Sequence, residues 1–337
     1  MVTLKDIAKE ANVSLMTVSN VVNGNFRKVS QEKAEQIQAI LQKRGYVQNA
    51  SARSLAKANS NIIAIMLRSL PNENSLSSPH NATLVGAVIE KIQRLGYYAM
   101  ISMVQKQEDI AKSLKTWNVR GAIFLGMFDD EIEQIYDLSN IPMVFIDSYS
   151  NMRQLSSVGI DDYKGAQLAA EYLIGKGHRA IAFISPPEHD NSVIQHRLRG
   201  FVDTLKKHGL VLPDKRRLTL ESDMDPRSVA QATQALLSMK EDVTAAFVTS
   251  DQMAASLIGG LYAQGIRVPE DLSIVGFDNM LISTQVSPQL TTIAQDLEQK
   301  AALAVEILEH RLGSPEALAE SRVLDVQLVE RSSVRAV

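Results

Sequence analysis

A chain of 337 residues, 45% of them hydrophobic, is longer than one core usually serves, so two or three domains are expected. The absence of cysteine excludes disulfides and thiolate metal sites, and no uncharged apolar stretch approaches the ~20 residues that span a bilayer. The charged start MVTLKDIAKEANVS is not a signal peptide, so a cytoplasmic protein is expected. The net charge of −3 is unevenly divided: residues 1–59 carry nine Lys/Arg against four Asp/Glu, a net of +5, and the remainder a net of −8. A basic segment on an acidic body is the footprint of a nucleic-acid binder, with chance clustering on a solvated face as the plainer alternative.

In TLKDIAKEA, the residues Leu4, Ile7, Ala8 and Ala11 follow the spacing of one helix face, with Thr3 as N-cap and Asp6 three residues on. Asn12 tolerates the left-handed conformation of a tight turn. Ser14 then caps a second helix, SLMTVSNVV. At 100° per residue Val18, Val21 and Val22 fall on one face with Leu15 at its edge, while Met16, Thr17, Ser19, Asn20 and Asn23 fall on the other. After the loop NGNFRK, Ser30 is expected to cap a third helix that buries Ile37, Ile40 and Leu41 and ends at Gly45. Two short helices joined by a tight turn, with a third behind, predict a helix-turn-helix whose second helix enters the major groove. There Asn20 or Asn23 can pair with adenine and Met16 can meet a thymine methyl. Alternatively, Met16 packs beneath a neighbouring loop.

YVQNASARSLAKANS follows. Asn49 could cap a short Ala-rich helix with little apolar surface to bury, marginal in isolation. Leu55, flanked by Arg53 and Lys57, suits a minor-groove wedge between basic anchors; a flexible tether is the simpler reading.

VTLKDIAKEANVSLMTVSNVVNG, Val29–Ser30, Gly45–Tyr46 and NASARSLA together resemble the DNA-binding segment and hinge of the lactose-repressor (LacI/GalR) family. The resemblance implies a homodimer on a double-stranded, pseudo-palindromic operator. DNA contacts would come from Thr3, Ser14, Leu15, Met16, Thr17, Ser19, Asn20 and Asn23, and from Asn49, Ala52, Arg53 and Leu55 of a hinge helix that folds on the operator. The sequence departs from the family where Asn20 replaces an Arg, Asn12 a Gly and Gln48 a Pro.

From Asn61 onward strand-like runs (NIIAIML, YYAMISM, VRGAIFLGM, IPMVFID) alternate with helical ones, and after Asp147 the series restarts with SSVGID and YKGAQLAAEYLIGKG. This alternation predicts parallel sheets covered on both faces, in two similar lobes. A helix near Asp296–Leu312 and one strand, SRVLDVQLVER, complete the chain. Ligands of such sheets bind at the carboxyl ends of strands, so a cleft between two edges is expected.

GIDDYKGAQLAAEYLI, GHRAIAFI, RLRGF, SDQMA, RVPEDLSIVGFDN and SPQLTTIAQD resemble the same family's effector-binding core, which is built like periplasmic sugar-binding proteins. The resemblance implies effector contacts from Arg197 and Asp278, and from Ser78, His80, Asn81, Phe128, Asp251 and Gln295. A guanidinium fork suits a vicinal diol or carboxylate, and a carboxylate accepts two hydroxyls. Asp251 can equally cap the helix after it. Few aromatics line the candidate cleft, and the family's Asn before Asp251 is Ser250. A sugar or sugar phosphate follows from the family alone, with a nucleoside or other metabolite open.

The expected fold is therefore α/β: an all-α helix-turn-helix segment, 1–47; a hinge helix and linker, 48–60; and a two-lobed, periplasmic-binding-protein-like core, 61–337. Lobe 1 is expected at about 61–158 plus 290–320, and lobe 2 at about 159–289 plus 321–337. The six His residues show no metal-ligand spacing, and no nucleophile elbow, P-loop or dinucleotide fingerprint appears, so no metal, cofactor or catalytic set is expected. Asp161 and Asp162 would point opposite ways on an extended segment and so not share a site. No leucine heptads follow the last strand, which favours a dimer over a tetramer. The leading reading is an effector-controlled transcriptional repressor. A solute-binding protein fits the core alone but not the basic N-terminal segment, and an α/β enzyme lacks a cofactor fingerprint.

Overall fold

The computed structural model describes residues 2–46, 60–69, 75–137, 139–150, 155–220, 226–239, 242–314 and 316–337. The chain divides into two compact units after Ser60. The expected hinge residues Asn49, Ala52, Arg53 and Leu55 lie outside the described residues.

The first unit holds α1 (Leu4–Glu10), α2 (Leu15–Val22) and α3 (Gln31–Lys43), with one 3-10 turn, Phe26–Lys28, between the last two. Thr3 and Asp6 form a reciprocal capping box: Asp6 N donates to Thr3 Oγ1 at 3.3 Å, and Thr3 N donates to Asp6 Oδ2 at 2.9 Å. Asn12 turns the chain with φ 49°, and the Ser14 hydroxyl accepts from Thr17 N at 3.1 Å to start α2. Ser30 stands at the N-cap of α3 with extended backbone, but its side chain makes no capping bond, contrary to expectation. Ile7, Ala8, Ala11, Val18, Val21, Ala34 and Ile37 meet in the core, with Ile40 and Leu41 packed partly buried at its edge. Gly45, at φ 59°, ends α3 in the left-handed region that favours glycine.

The second unit contains two six-stranded sheets. In sheet 1, β1 (Ile62–Arg68), β2 (Tyr98–Val104), β3 (Gly121–Leu125), β4 (Met143–Ile146), β5 (Ser157–Ile160) and β11 (Ser321–Leu324) run parallel in the order β11-β5-β4-β3-β1-β2. Along β1, Ile63, Ile65 and Leu67 face α4 (Pro79–Arg94) and α12 (Leu297–Gly313), while Ala64 and Met66 face α5 (Gln107–Thr116) and α6 (Asp129–Asp137). That period of two is the strand's own geometry.

Sheet 2 comprises β6 (Ile181–Ser185), β7 (Arg217–Thr219), β8 (Ala245–Val248), β9 (Ser273–Asp278), β10 (Thr291–Ala294) and β12 (Gln327–Val329), ordered β12-β10-β9-β8-β6-β7. Its faces are covered by α7 (Asp162–Gly175) and α8 (Val193–Lys207) on one side and by α9 (Pro226–Ser238) and α10 (Asp251–Ala263) on the other. A short α11 (Ile282–Gln285) follows β9. Gly200 on α8 lets α7 approach closely, because a Cβ there would lie 2.2 Å from the Tyr163 carbonyl oxygen.

Three details correct the expected layout. β12 pairs antiparallel with β10, so sheet 2 is mixed. The expected last strand is two strands, broken at Asp325–Val326, of which β11 joins sheet 1 and β12 joins sheet 2. The lobe boundaries shift accordingly: β10, expected with lobe 1, belongs to sheet 2, and β11, expected with lobe 2, belongs to sheet 1. The chain thus passes between the sheets at 160–162, 294–297 and 324–327.

Candidate functional site

Two surfaces carry the candidate residues. On the first unit, Val18 and Val21 anchor α2 to the core and turn its opposite face outward. Met16 is 69% exposed, so it is not packed beneath a loop. Leu15, Ser14 and Asn23 are also exposed, and Thr17, Ser19 and Asn20 are half-buried. Within this face the hydroxyls of Ser14 and Thr17 pair at 2.8 Å, and the Asn23 amide donates to Ser19 O at 2.8 Å. Thr3 is occupied by its capping box. An exposed apolar side chain among amides and hydroxyls is the equipment for reading base edges.

On the second unit, a cavity of about 330 Å3 opens at the carboxyl ends of both sheets, where strands hand over to helices. Of the candidate effector residues, Ser78, His80, Asn81, Arg197 and Asp278 line it. Asn81 holds the first loop by donating to Ser75 O at 3.0 Å, and its Oδ1 lies 3.2 Å from His80 Nδ1, which orients the imidazole. Arg197 is buried. Its Nε donates to Asp162 Oδ1 and its Nη1 to Thr249 O, both at 2.7 Å, and its guanidinium lies 3.6 Å from the Phe277 ring centroid. Burial alone would push its pKa down, but Asp162 and Asp278 outweigh that, and the guanidinium stays charged. Asp278 sits at φ 112° and Asn279 at φ 57°, a strained end to β9 that presents the carboxylate.

Three expected effector residues lie elsewhere. Asp251 does not line the cavity. It is fully buried, with Oδ1 accepting from the Thr292 hydroxyl and Oδ2 from Met280 N at 2.7 Å. Nor does it cap α10, because Ser250 does, accepting from Met253 N at 3.2 Å. Gly276 makes room for Asp251: a Cβ there would fall 2.4 Å from Asp251 Oδ1. Gln295 is a relay in the crossover after β10. Its Nε2 donates to Asp278 Oδ1, its Oε1 accepts from Lys300 Nζ, and Lys300 Nζ also donates to Asp147 Oδ1, each at 2.6 Å. Phe128 closes one side of the cleft, stacked on His189 of the other lobe with ring centroids 4.1 Å apart and with the Arg68 guanidinium 3.8 Å from its centroid. Beside it, Asn191 Nδ2 donates to Asp129 Oδ2 at 3.1 Å, again across the lobes.

Sequence reasoning missed Asp147, Lys300, Thr249 and Arg68. Asp147 and Thr249 immediately follow strand ends, so the rule that ligands meet carboxyl ends of strands pointed to both. Nothing local marks Lys300, a helical lysine that is fully buried. Burial alone would raise the Asp147 carboxyl, but Lys300 and then His80 hold it below the usual carboxylate range. Asp161 and Asp162 do have separate roles, at a helix start rather than on an extended segment. Asp161 caps α7, accepting from Lys164 N at 2.8 Å, while Asp162 faces Arg197 and accepts from the Tyr149 hydroxyl at 2.8 Å.

Known proteins match along the whole chain. The family described as "Bacterial regulatory proteins, lacI family" matches residues 3–49, and "Periplasmic binding protein-like domain" matches residues 170–334. The chain is 31% identical over 337 residues to the "Probable HTH-type transcriptional repressor ExuR" of Bacillus subtilis (strain 168), covering 99% of each. It is 33% identical over 342 residues to the "HTH-type transcriptional repressor PurR" of Edwardsiella ictaluri (strain 93-146), covering 99% of this chain and 97% of that one. Among solved structures, the Lac repressor dimer bound to operator and the anti-inducer ONPF superposes with a TM-score of 0.83 at 29% identity, covering 99% of each chain.

Proposed function

Because this chain belongs to the lacI family of bacterial regulatory proteins, we propose that it is a sequence-specific DNA-binding transcriptional repressor controlled by a small-molecule effector. The effector binds between the lobes of the core, and a sugar suits the site better than a sugar phosphate, whose charge Asp147 and Asp278 oppose. The observation that carries the reading is the pairing of two surfaces in one chain. α2 turns Met16, Asn20 and Asn23 outward beyond a fully formed helix-turn-helix core, and a separate cavity presents Arg197 and Asp278. Ser78, His80, Asn81, Arg197 and Asp278 are the effector contacts in this reading; Phe128, Gln295 and Asp251 shape and close the site. The domain assignment 1–47, 48–60 and 61–337 stands as part of the same proposal.

The protein acts as a homodimer on a pseudo-palindrome, in the cytoplasm where the DNA is. Among the described residues, no helix is long and apolar enough to cross a membrane. Exposed apolar side chains at the outer strand β2 (Tyr98, Ile101, Met103) and on the other lobe (Tyr262, Leu281) are surfaces a second copy would cover. Effector binding shifts the equilibrium between lobe arrangements and thereby the affinity for operator.

The test is selection of bound duplexes from a random DNA pool by the purified full-length protein, with and without a metabolite mixture. Recovery of a pseudo-palindrome whose occupancy changes with metabolites is the expected result. A pool left unselected under both conditions would overturn the proposal.

A further inference from the structure

Thr249 follows the end of β8 and lines the cavity, yet it is only 1% exposed. Its backbone is pinned from both sides: Thr249 N donates to Ile184 O at 3.0 Å, and Thr249 O accepts from Arg197 Nη1 at 2.7 Å. Its hydroxyl, by contrast, has no hydrogen-bond partner among the described residues. A buried hydroxyl left unpaired is destabilising, and native proteins keep few of them. The backbone is fixed and the hydroxyl closed off beside a guanidinium, which is explained if the side chain turns to a ligand that enters the cavity and supplies the missing partner. Two neighbouring groups define what that ligand carries. Arg197 only donates, while Asp278 only accepts, with Oδ1 committed to Gln295. Thr249 does either. Among the described residues no Phe, Tyr or Trp lines the cavity, which leaves the His80 imidazole as its one aromatic ring, and apolar side chains such as Leu67, Leu125 and Val193 meet aliphatic C–H. The volume of about 330 Å3 is at the small end of ligand cavities.

We propose that Thr249 is a specificity-determining residue: its hydroxyl hydrogen-bonds a hydroxyl of the effector next to Arg197, and the site thereby selects a compact, non-aromatic polyol. This rests on the reading of the cleft as the effector site. A hydroxyl fits better than a ligand carboxylate, which Asp278 and Asp147 would repel.

The experiment uses the full-length protein with Thr249→Val, which keeps the shape and removes the hydroxyl, Thr249→Ser, which keeps the hydroxyl, and Asp278→Asn. Without ligand, Thr249→Val is expected to melt at or above the wild type, because an unpaired buried hydroxyl is lost. Melting well below the wild type while Thr249→Ser does not would show a structural partner and overturn the proposal. Binding is then measured by calorimetry against free aldohexoses, aldopentoses and uronic acids, with adenine and phenylalanine as aromatic probes. At least one polyol is expected to bind, losing about tenfold in affinity with Thr249→Val and little with Thr249→Ser. Unchanged affinity in Thr249→Val with a loss in Asp278→Asn overturns the role of Thr249 and leaves the cleft as the site. Unchanged affinity in all three variants places the ligand elsewhere and overturns the cleft reading as well. Binding confined to the aromatic probes, or no binding by any polyol, overturns the ligand class.

Discussion

Burial and the adjacent Asp278 charge push the Asp251 carboxyl up to about 8, against an ordinary value of 3.8. The native state therefore holds a proton through the window in which the unfolded chain has lost it. The associated stability is fully present below about pH 4 and is lost as pH rises through about 8. Asp251→Asn mimics the protonated acid, accepting from Met280 N and donating to the Thr292 hydroxyl oxygen, and removes the titration. Between about pH 5 and about pH 9, urea unfolding should show the wild type losing more than ~1 kcal/mol relative to Asp251→Asn. Parallel pH profiles would place the ionised form in the core. Met16 makes a different prediction because it is exposed. Met16→Ala should leave thermal stability unchanged and alter preference at one base pair by ~1–3 kcal/mol, read by binding to operator variants. At this scale the sequence marks side chains whose type announces their chemistry, such as Arg197 and Asp278. It does not distinguish a carboxylate that faces a ligand from one that braces a strand. Asp251 and Asp278 look alike as letters, and only the packing of Gly276 and Thr292 around the former separates them.

The helices of the first unit are set by local chemistry. The Thr3–Asp6 capping box satisfies donors that α1 would otherwise leave open, so Thr3→Ala should destabilise this small three-helix unit by ~1 kcal/mol. Its melting transition should fall and operator affinity weaken with temperature; an unchanged transition would mean the cap is redundant. These elements were legible because capping residues and helical periodicity act within a few residues of each other. The short strands near the C-terminus were not. β10, β11 and β12 have three or four residues each, and nothing in so short a segment states which sheet it will join. Their partners, β9, β5 and β10, are set by tertiary position. The break at Asp325–Val326 lies within a run that reads as one strand.

In the molecule as a whole, the lobes meet through contacts that depend on closure. Phe128 stacks on His189, Asn191 donates to Asp129, and the Asp278–Gln295–Lys300–Asp147 relay joins β9 of one lobe to the end of β4 in the other. Phe128→Ala removes the stack and, with it, the ring beneath the Arg68 guanidinium at the edge of the cavity. It should weaken effector affinity by ~0.5–1.5 kcal/mol, mostly through faster release, as measured by stopped-flow. Equal release rates would mean that the stack forms independently of ligand. The two-lobed pattern was legible from alternating strand and helix runs, and the relay was not, because its members are scattered between residues 147 and 300.

The passage of the chain between the sheets has a consequence for how the protein is made. The core of lobe 1 needs Ala301, Ala304, Val305, Ile307 and Leu308 from α12, and its sheet needs β11 beside β5. A ribosome delivers these only after the whole of α7 to β10, on the order of ten seconds or more at ordinary rates of synthesis. Until then the nascent lobe 1 carries an apolar sheet face that α12 has yet to cover. Lobe 2 waits for β12, so the lobe begun first is completed almost together with the one begun second. Overexpression should therefore expose this chain to chaperones and to aggregation while it is being translated, however stable the finished molecule is.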